Sequence, residues 1–536
     1  ISFGISVSIL QKNKINGLIG DFDCFRYFEL TEDGIPKQFP SLNERNVKTK
    51  PDDFKKIPGS PIAYWVSDKV RKVFETSPSL GNNSASSNGI QTGNNAVFVR
   101  LWQEVDFKSK GFKWFPYNKG GEYRKWYGNN YYFVDWAMDG YRIKKQDNSC
   151  IRGSEFYFHE GVTWSDITSS KSSFKYFQKG YLFDAKGPSA FFTLGNLHYA
   201  LGFLNSELVY IFSKLLNPTL SFQIGDFKNL PFKIHSKKRV NEIVKKCILI
   251  AKTDWDSYEI SWDFNQNPII RTQGPNLEQA FNTWQQQNAD AVAEMKRLEE
   301  ENNKLFIDAY GLQDELTPEV PDKQITLTRA DREKDCQRLV SYALGCMMGR
   351  YSLDEPGLIY AHSGNQDFDA SRYQIFPADA DGIIPLTEMH WFEDDATHRI
   401  REFLTAVWGK DTLDANMLWL AESLDKKASE TAEDTIRRYL ASKFYKDHMQ
   451  TYKKRPIYWL FSSGKQGAFQ ALVYLHRYNE STLARMRTEY VMPLISKMAA
   501  YANLLETAKE NSDSAAEIKR KEKELQNLHK QQAELS

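Results

Sequence analysis

The spacing of apolar positions changes character several times along the chain. From Val97 onward, short runs rich in aromatic and β-branched residues recur: VFVRLWQEV, GFKWFPY, YYFVDW and SEFYFHEGVTWS. Each is bounded by Gly, Asn or Asp, which predicts short strands. YLFDAKGPSAFFTLG reads as two strands around a Lys-Gly-Pro turn. Upstream, SPSLGNNSASSNGIQTGNN is rich in Ser, Asn and Gly and predicts a long loop. LHYALGFLNSELVYIFSKLL carries helical spacing and predicts one helix. Another helix places Val240, Ile243, Val244, Cys247, Ile248 and Ala251 on one face. The period then becomes 3.5: Leu277, Phe281, Trp284, Asn288, Ala291, Met295, Leu298, Asn302, Leu305 and Ala309 alternate steps of four and three. Gly311 is placed to stop this helix, and the two seam asparagines lower its stability while fixing its register. After the linker TPEVPDK, Thr328 followed by Asp331 predicts a capped helix start, with Leu339, Val340, Ala343, Met347 and Met348 on an apolar face. Gly345 and Gly349 allow that helix to pack closely. A last helical stretch has its seam at Leu494, Met498, Tyr501, Leu505 and Ala508.

These patterns predict an α+β multidomain chain. Residues 26–265 form a mixed α/β unit with an aromatic-rich β core at 97–195, and 266–325 form a long, coiled-coil-like helix and linker. Residues 326–480 form a mainly helical C-terminal domain, and 481–536 a helical tail. The 536-residue length fits several units. Seventy Lys+Arg against sixty-nine Asp+Glu exclude a uniformly basic binder. No apolar run reaches membrane-spanning length. Five cysteines (Cys24, Cys150, Cys247, Cys336, Cys346) form no CxxC pair, and the nine histidines are scattered, so disulfide or metal chemistry has little basis. Aromatic residues change the picture most. Residues 101–190 hold 23 Phe, Trp and Tyr with a local excess of four positive charges, a composition suited to reading bases or to filling a Trp-rich core.

Catalytic motifs are absent from the sequence. SSGK at 462–465 lacks the upstream glycine of a phosphate loop, and NPTL at 217 and NPII at 267 lack the second proline and aromatic of an amino-methyltransferase loop. The paired acids Asp52–Asp53 and Asp394–Asp395 read as solvated surface. A binding signature remains in NKGGEYRKWYGNN, where Lys119, Gly120, Gly121, Arg124, Lys125, Trp126, Tyr127, Asn129 and Asn130 crowd together. A Gly-Gly turn brings backbone N–H groups to a phosphate, Arg and Lys neutralise phosphates or read guanine, Asn reads adenine, and aromatics stack on a base. The competing reading is a β-hairpin with a basic tip and a buried Trp. Lys186 in DAKGPSAFF is a further phosphate candidate and Gln223 in SFQIGD a base or backbone candidate. Trp164 and Ser165 in GVTWSD are weighed as core or DNA-facing. TYKKRPIYW reads as a basic, aromatic helix end.

Taken in order, KIPGSPIAYWVS, QTGNNAVFVRLWQEV, FKWFPYNKGGEYRKWYGNN, YALGFLNSELVYIFSKLLNPTLSFQIGDFKNLPF, LEEENNKLFIDAYGLQDEL and LVSYALGCMMGRYSLDEPGLIY resemble the post-catalytic half of a large adenine-specific DNA methyltransferase. The family is PglX of the bacteriophage exclusion (BREX) defence systems, and more loosely the type IIG restriction–modification enzymes. The resemblance implies that 26–265 is a target-recognition domain and that duplex DNA is the partner. It also implies a bacterial cytoplasm and work alongside other phage-exclusion proteins. S-adenosylmethionine is implied for the parent enzyme's catalytic domain and for no site on this chain. Residues 1–25, which open without Met, are expected to be the edge of that upstream domain, and the chain alone is expected to be inactive. The alternative is a protein-interaction scaffold docking through the seam helix and tail, with the aromatics as core. A carbohydrate-binding module is a third reading, disfavoured by the interleaved basic residues and the cysteine usage.

Overall fold

The aromatic runs downstream of the Ser/Asn/Gly segment fold into two small sheets rather than one. The computed structural model describes residues 17–23, 29–31, 33, 35–38, 46–168, 171–193 and 195–536. The strands are β1 (Ser84–Ser87), β2 (Val99–Leu101), β3 (Trp114–Asn118), β4 (Tyr132–Asp135), β5 (Gly161–Thr163), β6 (Lys175–Phe177), β7 (Leu182–Phe183) and β8 (Ser189–Phe192). One sheet has the order β1-β8-β5-β6 and the other β2-β4-β3-β7. All of these pairings are antiparallel except β3 with β7. Because β3 and β7 run the same way, the chain leaves both at one edge. Thr163, at the end of β5, faces Ser189, at the start of β8, so the loop after β5 emerges beside the β7–β8 turn.

Local propensity is overridden at two places here. Ser84–Ser87, expected within a long loop, pairs with β8 because Phe191 and Phe192 give the segment a partner edge. LHYALGFLNSELVYIFSKLL makes two helices, α1 (Leu197–Leu204) and α2 (Glu207–Leu216), rather than one. At the break the Asn205 side chain accepts from Phe174 N (3.0 Å) and donates to Phe174 O (2.9 Å), so it competes with helix continuation.

Helix α3 (Lys237–Trp255) packs on α1, with Val240, Ile243, Val244, Cys247 and Ala251 buried as the spacing predicts. The long helix α4 (Leu277–Tyr310) ends at Gly311, whose φ of 69° is the left-handed stop. Its seam is buried in two cores. Leu277, Phe281 and Trp284 pack with Trp419 and Leu339, while Met295, Leu298 and Phe306 pack with Phe203 and Val244. The seam asparagines satisfy neighbouring backbone: Asn288 Nδ2 donates to Thr328 O (2.9 Å) and Asn302 Nδ2 to Gly202 O (2.9 Å).

Helix α5 (Arg332–Met347) starts three residues later than Thr328 suggested. Asp331 is its cap, accepting from Lys334 N at 2.9 Å, while Thr328 N donates to Asp254. A Cβ on Gly345 would lie 2.6 Å from the Tyr351 ring, so the expected close packing is present there, while Gly349 lies past the helix end in a left-handed turn (φ 75°). The second half also contains a sheet, β9 (Ile383–Pro385), β10 (Tyr458–Ser462) and β11 (Gln470–Tyr474), ordered β9-β11-β10. TYKKRPIYW begins at the end of a helix (Phe444–Thr451), with Lys453, Lys454 and Arg455 exposed as expected, and then leads into β10, with Tyr452 and Tyr458 buried and Lys453 Nζ 3.5 Å from the Tyr131 ring centre. The tail helices α6 (Met492–Glu510) and α7 (Ala515–Leu535) pack on each other through Leu494, Met498, Ala502, Leu505, Leu525 and Leu528. The Glu534 carboxylate accepts from Gln466 N (2.6 Å), Ala468 N (3.2 Å) and Ser463 Oγ (2.7 Å), so the SSGK turn holds an internal anion.

Of the 1–25 segment, only 17–23 lie within the described residues, and Gly20–Phe22 pairs with Val47–Thr49. Cys150, Cys247, Cys336 and Cys346 are free, and Cys24 lies outside the described residues. Among the described residues no helix is long and apolar enough to cross a membrane.

Candidate nucleic-acid interface

The residues picked from the sequence separate into a set at one edge and a set that turns inward. The edge set, in which Gly120 is buried, Lys119 partly exposed and Lys186 exposed, sits where three strands end. After β3, Gly120 and Gly121 adopt φ of 74° and 143°. Gly121 N donates to Ser165 Oγ (2.9 Å), and Ser165 Oγ donates to Gly121 O (2.8 Å), tying the 118–121 turn to the loop after β5. A Cβ on Gly120 would stand 3.0 Å from Lys186 O, so the third loop approaches too closely for any larger residue.

Asp184 organises the β7–β8 turn. It accepts from Lys119 Nζ (2.8 Å), Tyr117 Oη (2.9 Å) and Lys186 N (2.7 Å). Burial, reinforced by the Asp184 charge, pushes the Tyr117 hydroxyl far above its ordinary range, so it remains a donor. Asp166 does the same for the fourth segment. It receives Lys186 Nζ (2.8 Å) and Ser221 Oγ (3.2 Å), and its carbonyl accepts from Phe222 N (2.9 Å). The hydrogen bond to Asp166 raises the Lys186 ammonium above its usual value, and this side chain is 65% exposed. Gln223 follows, exposed at the cap of a five-residue helix whose Asp226 accepts from Gln223 N at 2.9 Å. Ile167 and Leu220 stand exposed beside it, in backbone contact through Thr168 N and Leu220 O.

Trp164 lies beneath this edge as core. It is buried, donates from Nε1 to Phe222 O (2.9 Å) and stacks on Phe227 at 4.8 Å. The structure thus brings together Lys119, Gly120, Gly121, Lys186 and Gln223, with Ser165 joining them.

Arg124, Lys125, Trp126, Tyr127, Asn129 and Asn130 turn inward, which corrects the expectation that they line a DNA surface. Arg124 Nη2 pairs with Asp254 of α3 at 2.8 Å, and Nε donates to Tyr127 O. Lys125 Nζ and Trp126 Nε1 (2.7 Å) both reach the buried Glu299 of α4. Tyr127 is buried, which pushes its hydroxyl up to about 12. Asn129 donates to Glu122 O at 2.9 Å, and Asn130 is buried. The segment is a bolt between the sheets and helices α3 and α4. Its signal was legible only from the other side: Glu299 directly follows seam Leu298, and Asp254 lies one residue before the buried Trp255.

Lys175 of β6 lies beside this bolt. Its ammonium has no hydrogen-bond partner among the described residues, and burial, aided by the Arg124 charge, pulls it down to about 8. Sequence reading passed over Lys175 and the organising acids Asp166 and Asp184, because nothing in local spacing marks them; it picked Gly121 for a phosphate, whereas its N–H is spent on Ser165 Oγ.

No family model matches the chain. It is 38% identical over 562 aligned positions to the adenine-specific methyltransferase PglX of Lacticaseibacillus casei (strain Zhang), an alignment covering 98% of this chain and 46% of that protein. It is 39% identical over 547 positions to the adenine-specific methyltransferase BrxX of Escherichia coli O9:H4 (strain HS), covering 95% of this chain and 45% of that protein. The chain is homologous to both and spans just under half the length of these curated relatives.

Proposed function

We propose that this chain recognises a duplex DNA site on behalf of an adenine-specific DNA methyltransferase of the phage-exclusion kind. The observation that carries the reading is the convergence of Lys119, the Gly120–Gly121 turn, Ser165, Lys186 and Gln223 on one exposed edge of a chain homologous to PglX and BrxX. Lys186, held by Asp166 at a solvated edge, exchanges readily, since an exposed ion pair contributes under about 1 kcal/mol, whereas Lys119 is tied to the buried Asp184. A phosphate can therefore replace Asp166 at Lys186. Gln223 supplies the amide suited to adenine N6 and N7, and Ile167 and Leu220 supply apolar contact at the same edge. Other phage-exclusion proteins are proposed as further partners, acting on surfaces away from this edge.

The residues present do not fit S-adenosylmethionine. Among the described residues the sheets are antiparallel apart from a two-residue parallel pairing, so no crevice forms at the carboxyl ends of a parallel sheet. The sequence also lacks the Asn/Asp-Pro-Pro-aromatic loop. No step through that cofactor is assigned to these residues.

The test is a titration of labelled duplex DNA with the purified chain at several salt concentrations, paired with a methyl-transfer assay. Salt-dependent binding without methyl transfer is expected. Binding that is absent at low salt, or methylation by this chain alone, overturns the reading. The scaffold alternative loses its main surface, because the α4 seam is spent on the two internal cores.

A further inference from the structure

At the opposite end of β3 from the loop edge, two tight turns carry exposed apolar side chains that folding does not use. In the first, Gly111 (φ 83°) donates to Trp114 O (2.9 Å) and Lys113 N to Ser109 O (3.0 Å), closing a tight loop with Phe112 at its tip. Phe112 is 82% exposed. In the second, Met138, Asp139 and Gly140 follow one another in left-handed backbone (φ 49°, 54° and 68°). Two of these are non-glycine, a conformation that costs free energy. A Cβ on Gly140 would meet the Trp136 ring at 2.4 Å, so the turn is pressed onto that ring. Met138 is left 77% and Tyr141 49% exposed. The turns are neighbours: Trp114 pairs with Asp135, and Trp136 N donates to Lys113 O at 2.8 Å.

Cations and acids are interleaved at this end, with Asp106, Asp135 and Asp147 directly flanking the two turns, but two of the cations are left over. Residues 107–114 contain Lys108, Lys110 and Lys113 and no acid, and 136–146 contain Arg142, Lys144 and Lys145 against Asp139 alone. Lys108, Arg142 and Lys144 have ion-pair partners in Asp367, Asp135 and Asp139. Lys113 and Lys145 have none among the described residues and lie over Trp114 (5.5 Å) and Tyr141 (4.5 Å). Tight, hydrogen-bonded turns that project apolar groups beside unpaired cations lower the ordering cost of binding an anionic partner with apolar faces.

We infer that this end of the sheet is a second duplex DNA contact, where Lys113 and Lys145 meet phosphates and Phe112, Met138 and Tyr141 press against the bases of an opened step. This rests on the DNA reading above and adds a contact about one strand length from the first. Apolar wedges beside cations are the arrangement that unstacks a base step and is compensated by wrapping.

The experiment uses the full chain, a 30-base-pair duplex and three variants: Lys113→Ala with Lys145→Ala, Phe112→Ala with Tyr141→Ala, and Lys119→Ala with Lys186→Ala. The first is expected to reduce the slope of log affinity against log salt by about 1.8, at ~0.9 per phosphate contact. The second is expected to lose about tenfold in affinity at fixed salt with the slope unchanged. Since all four side chains are at the surface, circular dichroism and the unfolding midpoint should match the wild type. If the first two variants bind like wild type while the Lys119/Lys186 variant weakens, the second contact falls and the DNA reading stands. If wild type ignores DNA, both fall. A Phe112/Tyr141 variant that changes only elution volume marks a protein-facing surface and overturns the inference.

Discussion

Replacing Lys175 with Met is expected to stabilise the chain at neutral pH and to do so less as pH rises. The ammonium is buried, has no hydrogen-bond partner among the described residues, and is pulled down to about 8 from an ordinary 10.5. Carrying the proton there at pH 7 costs about 3 kcal/mol, at ~1.4 kcal/mol per pH unit between the two values. The sign follows from proton counts: between pH 8 and 10.5 the unfolded chain binds the proton and the folded chain does not. Wild-type stability therefore climbs through that window. Met keeps the length of the side chain and nothing to ionise. The variant should lead by about 3 kcal/mol at pH 7 and about 1 kcal/mol at pH 10. Urea unfolding followed by tryptophan fluorescence, run on both proteins from pH 7 to 10, reads the difference and cancels every other titrating group. A gap that stays constant with pH, or a Met variant less stable at pH 7, refutes the account of a desolvated, unpaired lysine.

Glu299→Leu leaves Lys125 buried without its carboxylate and should cost about 3–5 kcal/mol, while Lys125→Met with Glu299→Leu should recover most of it. Denaturant midpoints of wild type and these two variants measure this; equal losses for the single and the double variant would show that the pair is not coupled. Arg124→Ala should lower the unfolding midpoint because it breaks the tie to Asp254, and Lys119→Ala should lower it because it leaves the buried Asp184 without its cation, whereas Lys186→Ala should reduce the DNA salt slope by about 0.9 with the midpoint intact. Asp381, raised to about 7 by burial and the neighbouring Asp379, binds a proton in the folded chain between its ordinary value and 7, so its contribution to stability falls as pH climbs through that window. Asp381→Asn should therefore gain on wild type above pH 7 in thermal unfolding, and equal pH profiles would count against it.

The seam of α4 and its stop at Gly311 were legible because a 3.5-residue repeat over 34 residues survives any context. The strands around Lys186 were legible for the same reason: aromatic alternation and a Lys-Gly-Pro turn are local signals. The basic hairpin was not. Its residues suit DNA and suit an internal bolt equally, and the partners that decide between them are 130 positions away for Arg124 and 174 for Lys125. Ser84–Ser87 shows the same dependence, since only the β8 edge makes a strand of a Ser-rich segment.

By itself, then, the sequence determined the periods, the composition and the homology, and with them a DNA-directed reading. Which cations face outward was decided only in three dimensions. A lysine's role depends on whether a buried carboxylate reaches it before solvent does. Asp254 and Glu299 claim Arg124 and Lys125 inside and the buried Asp184 ties down Lys119, while Lys186 stands at an open edge with only Asp166 beside it.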